Sequence, residues 1–293
     1  MRFSTRKATV RLVLLALGMA IGLVGAAGSS TKSAVSTRAA GSRQAAATRA
    51  LAAALRTSRL GPGQRVPGSG PHTHGLTQVA YYNWSGYADD NSAANTYSMV
   101  SASWVQPAVT CPVKEDAIVV FWVGLDGFNT STVEQDGTMA WCFNGTVTYY
   151  SWWEMFPTNN IQTVGSTVAP GDKIAASVVF AAGHYALKLT DSTHTANSFS
   201  TSQVCGAGLT CPNASAEWIV ETPGGARGLW PWQNFRTWHL SAAKVKSGTT
   251  TGVIKSFPDD EITIVGTDGQ SLSTTGALNT AGNGFGDAWA YSY

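Results

Sequence analysis

The chain carries no aspartate or glutamate in its first 75 residues and no aromatic residue from Gly28 to Gly75. A segment of that composition cannot build a core of its own. Charged residues make up only 12% of the whole sequence. No stretch repeats apolar residues at i, i+3, i+4 and i+7 over three turns, so a helical bundle is excluded. After Val24 no run is long and apolar enough to span a bilayer. There is no G-x-S-x-G elbow, no Asp-Thr/Ser-Gly, no H-E-x-x-H, no C-x-x-C and no phosphate loop. The five histidines show no ligand spacing, so neither a metal nor another cofactor is called for.

What is present divides by region. Arg2, Arg6, Lys7 and Arg11 precede the apolar run Leu12–Val24, and Gly25, Ala26 and Ala27 follow. This is the pattern of a secretory signal over residues 1–27. The alternative is a membrane anchor, but the run is shorter than the ~20 residues a spanning helix needs. Residues 28–75 read as a basic propeptide or linker, with a short helix expected at Ala45–Leu55 and a Pro/Gly linker at Gly61–Gly70. Residues 1–75 hold 11 of the 19 Lys and Arg, which leaves 8 basic and all 17 acidic groups to residues 76–293. That region is therefore near −9, although the whole chain is +2. A basic leader on an acidic body points to a propeptide held partly by charge, the alternative being a linker with no inhibitory role. Processing is expected to start the mature chain between Ser69 and Tyr82. The product would be a secreted monomer with no membrane attachment and no nucleic-acid partner, since the basic groups leave with the leader.

Residues 76–293 suffice for one domain with a sizeable core, and all 11 Trp lie there. Strand signals run through it at Thr96–Val105, Ala117–Gly124, Val147–Phe156, Lys173–Ala181, Tyr185–Thr190, Glu217–Thr222, Ala243–Val245, Glu261–Val265 and Ala288–Tyr293. Turn signals such as Ala182-Gly183-His184 separate them. Many strands without crossover helices predict an all-β fold, an antiparallel sandwich of two packed sheets of the lectin-like kind. Four cysteines in an exported chain favour disulfides, with three possible connectivities. Cys205 and Cys211 flank one Gly-rich loop and are expected to pair, leaving Cys111 with Cys142. Asn83, Asn129, Asn144 and Asn213 each begin an N-x-Ser/Thr sequon.

The chemistry is expected where Phe121–Gly137, FWVGLDGFNTSTVEQDG, passes from an apolar run into a polar loop holding one amide, Gln135. Three glutamates stand among aromatics: Glu154 in YYSWWEMFP, and Glu217 and Glu221 in SAEWIVETP. Desolvation there raises a carboxyl's pKa and suits it to acid/base work, although each could equally be a satisfied structural group. Glu217 and Glu221 share parity on one strand and lie ~13 Å apart, too far for a glycosidase pair.

Five segments in order resemble those of the glutamic peptidases, or eqolisins. They are NWSGY at Asn83–Tyr87, FWVGLDG at Phe121–Gly127, VEQDG at Val133–Gly137, YYSWWEMFP at Tyr149–Pro157 and AEWIVE at Ala216–Glu221. The resemblance covers nearly all of the region after residue 83. It implies secreted acid endopeptidase activity with Gln135 and Glu221 catalytic, and a substrate cleft lined by Trp84, Gly86, Trp122, Asp126, Trp152 and Glu154. Gly86 is expected to admit the substrate backbone. The implied partners are protein or peptide substrates and the chain's own propeptide. Tyr150, Met155, Phe156 and Met139 depart from the family pattern and bear on subsite preference. Two other readings of a Trp-rich sandwich stay open: a carbohydrate-binding module or glycoside hydrolase, and a catalytically silent binding protein. The glycosidase should tolerate loss of Gln135.

Overall fold

Alternation at period two builds the clearest hairpin. Lys173–Ala181 and His184–Asp191 alternate exposed and buried side chains and pair antiparallel. Ala182 and Gly183 close the turn with φ of 50° and 80°, the left-handed conformations that fit a two-residue hairpin to the strand twist. Ala117–Leu125 follows another rule. It is apolar at every position and buried at every position, as a strand covered on both faces must be. The computed structural model that shows these elements describes residues 46–69, 77–90, 93–112 and 115–291. The expected signal over 1–27, the start of the 28–75 leader, and His72 and His74 lie outside the described residues.

Two sheets stack face to face. The first runs in the order Thr77–Tyr81, Asp259–Ile264, Trp84–Asp90, Ser215–Glu221, Ala117–Leu125, Val133–Phe143, Thr146–Phe156 and Gln162–Thr163. The second runs Phe199–Gln203, His184–Asp191, Lys173–Ala181, Tyr97–Val105, Thr237–Ser247, Phe285–Trp289 and Ser273–Thr275. Phe121, Val123, Trp218 and Val220 of the first meet Trp104, Val178, Leu187 and Trp238 of the second in the core between them. The antiparallel β-sandwich is as expected, with one parallel pairing, Thr77–Tyr81 on Asp259–Ile264. Both disulfides form as expected, Cys111–Cys142 and Cys205–Cys211.

Three expectations need correction. The polar loop around Gln135 is the strand Val133–Phe143, buried from Val133 to Cys142 and in register with Ala117–Leu125. Its Glu-Gln-Asp-Gly sequence reads as a loop only if a strand must keep polar groups in solvent, and here both faces are covered. Gly137 lets that pairing close up, since a Cβ there would stand 2.0 Å from the Phe121 carbonyl oxygen. Next, the described part of the expected Gly61–Gly70 linker is tied down, with the Gly63 and Val66 N–H groups donating to the Gly127 and Ala80 carbonyls. Leu51 and Leu55, on a helix over 46–55, and Leu60 beyond it are buried with Trp84, Trp122 and Ile219 on the outer face of the first sheet. The leader has no core of its own but contributes to the body's. Last, the sequons at Asn83 and Asn213 are buried and their side chains hydrogen-bonded, which leaves only Asn129 and Asn144 open to modification.

Candidate functional site

Strand register sorts the outer face of the first sheet into rows. One row runs Trp84, Glu221, Val120, Met139, Tyr150. The next runs Gly86, Ile219, Trp122, Gly137, Trp152, and the third Ala88, Glu217, Gly124, Gln135, Glu154. Side chains two apart along a strand share a face, so Trp84, Trp122, Trp152, Glu154, Gln135 and Glu221 all point the same way. Trp84 and Trp122 meet edge to face with ring centroids 5.1 Å apart.

Each polar group on this face has defined partners. Glu221 accepts the indole N–H of Trp122 at Oε2 (3.0 Å) and the amide of Asn83 at Oε1 (3.4 Å). Burial pushes the Glu221 carboxyl well above the ordinary carboxylate range, neighbouring Glu154 adds to the rise, and the Trp122 and Asn83 donors oppose it. Glu154 is likewise pushed up by burial, against the Leu60 N–H and the Arg59 guanidinium. Gln135 stands opposite Glu154 in register. Its Nε2 donates to the carbonyl oxygen of Leu60, and its Oε1 has no protein partner.

The leader from Arg59 to Gln64 therefore lies across this face. Arg59 exchanges both backbone hydrogen bonds with Gly224, at 3.0 Å each. The Leu60 N–H donates to Glu154 (3.2 Å), and Asn83 donates to the Pro62 carbonyl (3.4 Å). Gly63 N–H reaches the Gly127 carbonyl, and Gln64 N–H the Asn83 side chain (2.6 Å). A Cβ on Gly63 would stand 2.3 Å from the Tyr81 ring and 2.9 Å from Trp84, so only glycine passes there. Backbone bonds and buried leucines hold this segment.

Not every expected cleft residue joins the group. Asp126, at φ 67°, accepts the backbone N–H groups of Asn213 and Ala214 at 2.7 Å each. Glu134 is on the strand face opposite Gln135. Asp126 is thus a clamp on the entry to Ser215–Glu221, not a cleft wall. Gly86 is required for a reason other than substrate approach: a Cβ there would stand 2.0 Å from the Trp218 carbonyl oxygen of the neighbouring strand. Glu217 stands in the same register row as Gln135 with Gly124 between them, and burial pushes its carboxyl well above the ordinary range, with Asp126, Asp90 and Glu134 adding to the rise. Asn83 was seen in the sequence only as a motif residue and sequon, yet it touches Glu221, Pro62 and Gln64. Its place at the head of NWSGY was the available signal. Among the described residues Asp172, Asp191 and His194 also come together, and hydrogen bonds to the 169–198 turns account for them.

The profile of the peptidase A4 family matches residues 82–283. Among solved structures, the sandwich resembles scytalido-glutamic peptidase bound to a transition-state analogue inhibitor, at 20% identity and a TM-score of 0.60, over 71% of this chain and 98% of that one. It also resembles SCP-B, described as a member of the eqolisin family in complex with the tripeptide Ala-Ile-His, at 19% identity and a TM-score of 0.56 over the same shares. Aspergilloglutamic peptidase from Aspergillus niger aligns at 21% identity and a TM-score of 0.52, over 59% of this chain and 99% of its own. No curated protein sequence matches the chain.

Proposed function

Since the chain belongs to the peptidase A4 family and is a glutamic endopeptidase, we propose that it is a secreted, acid-active enzyme whose Gln135 and Glu221 together hydrolyse peptide bonds of protein substrates. One observation carries this reading: the Gln135 amide already donates to a peptide carbonyl, that of Leu60, in the apolar cleft that also holds Glu221.

The residues divide the work. Glu221, ionised, takes a proton from a water molecule whose oxygen adds to the carbonyl carbon. The Gln135 NH₂ donates to the oxygen as negative charge develops on it, which is where a preorganised donor contributes most. Glu221 then passes the proton to the departing nitrogen, and the C–N bond breaks. Trp122 and Asn83 fix the two Glu221 oxygens from the protein side. Glu154 accepts the N–H of the residue whose carbonyl is attacked, which sets the substrate's register against Gln135. Trp84, Trp122 and Trp152 keep the site dry.

The pH behaviour follows. Glu221 must be ionised to act as base, so activity falls at very low pH. Glu154 adds to the rise of the Glu221 carboxyl, and its own ionisation at higher pH repels the Glu221 charge, so activity falls again toward neutrality. The discriminating experiment is the pH–rate profile of folded Gln135→Ala. A loss of ~10²–10³-fold in kcat across the acid range is expected. Wild-type kcat would remove Gln135 and leave Glu154 and Glu221 as a two-carboxylate pair.

A further inference from the structure

The leader occupies the cleft in the orientation a substrate needs, and resting on the Gln135/Glu221 reading we infer that Leu60–Gly61 is the peptide bond this chain cuts in itself, within its own cleft.

Four observations converge on that bond. The Leu60 carbonyl is the one that accepts the Gln135 amide. Its N–H is fixed by Glu154, so the residue is held on both sides of its Cα. The Leu60 side chain is 0% exposed and belongs to the apolar cluster of Trp84, Trp122 and Trp152. Downstream, Asn83 joins the Pro62 carbonyl to Glu221, so the stretch from Leu60 to Pro62 lies between the two proposed catalytic groups. Gly61 itself is slim enough to pass Phe156, whose ring would stand 3.2 Å from a Cβ there. No other peptide group of the described leader has its carbonyl on Gln135.

The step balances with water as the only co-reactant. The water oxygen bonds to the Leu60 carbonyl carbon, its proton goes to Glu221, and the Leu60–Gly61 C–N bond breaks. Glu221 returns the proton to the Gly61 nitrogen. The products are a fragment ending in a Leu60 carboxyl group and a body beginning with a Gly61 amine. This cut lies upstream of the Ser69–Tyr82 window expected from composition, so any trimming there comes after it. The seat of Leu60 also states a preference: the cleft accepts a leucine-sized apolar residue on the N-terminal side of the broken bond.

The test uses the full chain, purified near neutral pH and shifted to pH 3–4, followed by intact mass and N-terminal sequencing. The first new N-terminus is expected at Gly61, at a rate constant unchanged over a 100-fold range of protein concentration. A Gly61→Pro variant, with its fold checked by melting temperature, should cut at this bond at least 100-fold more slowly. An eleven-residue peptide of the sequence of 56–66 should be cleaved between its Leu and Gly by the processed protein. A first cut elsewhere, a rate proportional to protein concentration, or peptide cleavage at another bond overturns the proposal. Digestion of an added denatured protein in the same sample separates the two claims. If that digestion proceeds while Leu60–Gly61 stays intact, the self-cleavage site is wrong and the peptidase reading stands. If neither proceeds, the Gln135/Glu221 reading itself falls.

Discussion

The two sheets differ in what their strands carry. The strands of the first sheet hold ten carboxylates and no lysine or arginine; those of the second hold four lysines and two aspartates. Lys173, Lys188 and Lys244 stand in solvent on the second sheet. On the first, Asp89, Glu134, Asp136, Glu154, Glu217 and Glu221 are all fully buried. Burial pushes each of these six well above the ordinary carboxylate range. A buried charge without a cationic partner costs far more than a buried neutral acid. The first sheet therefore buries groups that fit the fold best when protonated, whereas Asp191 of the second, against the cost of its burial, is held below the ordinary carboxylate range by the His194 N–H, the Asn197 amide and the Thr193 N–H. The second sheet has one comparable group, Asp287, pushed up to about 6 by burial and held against Ser85, Ser273 and Thr275 hydroxyls. These buried acids lie on the same sheet as the pair proposed for the chemistry.

Substitutions on the two outer faces should separate most sharply in rate. Glu221→Gln should cost ~10²–10⁴-fold in kcat on a denatured protein at acid pH, and Lys188→Ala on the second sheet should leave kcat unchanged. Equal effects would break the distinction.

Stability against pH comes next. The six carboxyls have folded pKa values above their unfolded ones, near 4, so their contribution is fully present below that pH. It is lost as pH rises through the folded values, by up to ~1.4 kcal/mol per pH unit for each proton involved. Thermal unfolding followed by circular dichroism should show the highest melting temperature near pH 3–4 and a fall toward neutrality. Glu217→Gln should flatten that fall by about one proton. A melting temperature that climbs steadily from pH 4 to 7 would contradict the account.

A smaller effect separates leader from body. Leu51→Ala leaves a hole among the apolar groups that cover the first sheet, and should cost the unprocessed chain ~2–5 kcal/mol. The chain without its leader has no such contact to lose, so a chain starting at Gly61 should unfold independently of that position. Smallest of all, Lys244→Ala should shift unfolding by no more than ~0.5 kcal/mol in chemical denaturation.

Much of the second sheet was readable in advance because its residues obey one rule. In Lys173–Ala181 and His184–Asp191, polar and apolar positions alternate and the turn between them is glycine-bearing. The first sheet breaks that rule where it matters most. Gln135 sits mid-strand between Glu134 and Asp136, and a reader expecting polar groups in water places it in a loop. The motif order singled out Gln135, Glu221, Trp122, Trp152 and Glu154, which share one face, without the strand. It could not say that Asp126 turns to the Asn213 and Ala214 backbone, since that follows from a positive φ at one residue. Nor could composition reveal the path of the leader. Its glycines and prolines look like a flexible connector, yet the aromatic walls around Tyr81 and Trp84 leave room for nothing bulkier than Gly63. What resembles low complexity is the shape of a narrow slot.

The backbone hydrogen bonds of Gly63 to Gly127 and of Val66 to Ala80 on one side of the slot, and of Arg59 to Gly224 on the other, have a kinetic consequence. While the chain is whole, the leader is an intramolecular occupant present at an effective concentration on the order of millimolar, so weak individual contacts suffice to keep the slot full. Cutting between these two anchored flanks changes no contact at first. It changes the molecularity: the upstream fragment becomes a separate solute that competes at its own bulk concentration. Where the protein is crowded, the fragment rebinds and the slot stays closed. Where it is dispersed, mass action alone empties it, and under the cut proposed above dilution into the surroundings becomes the signal that starts work.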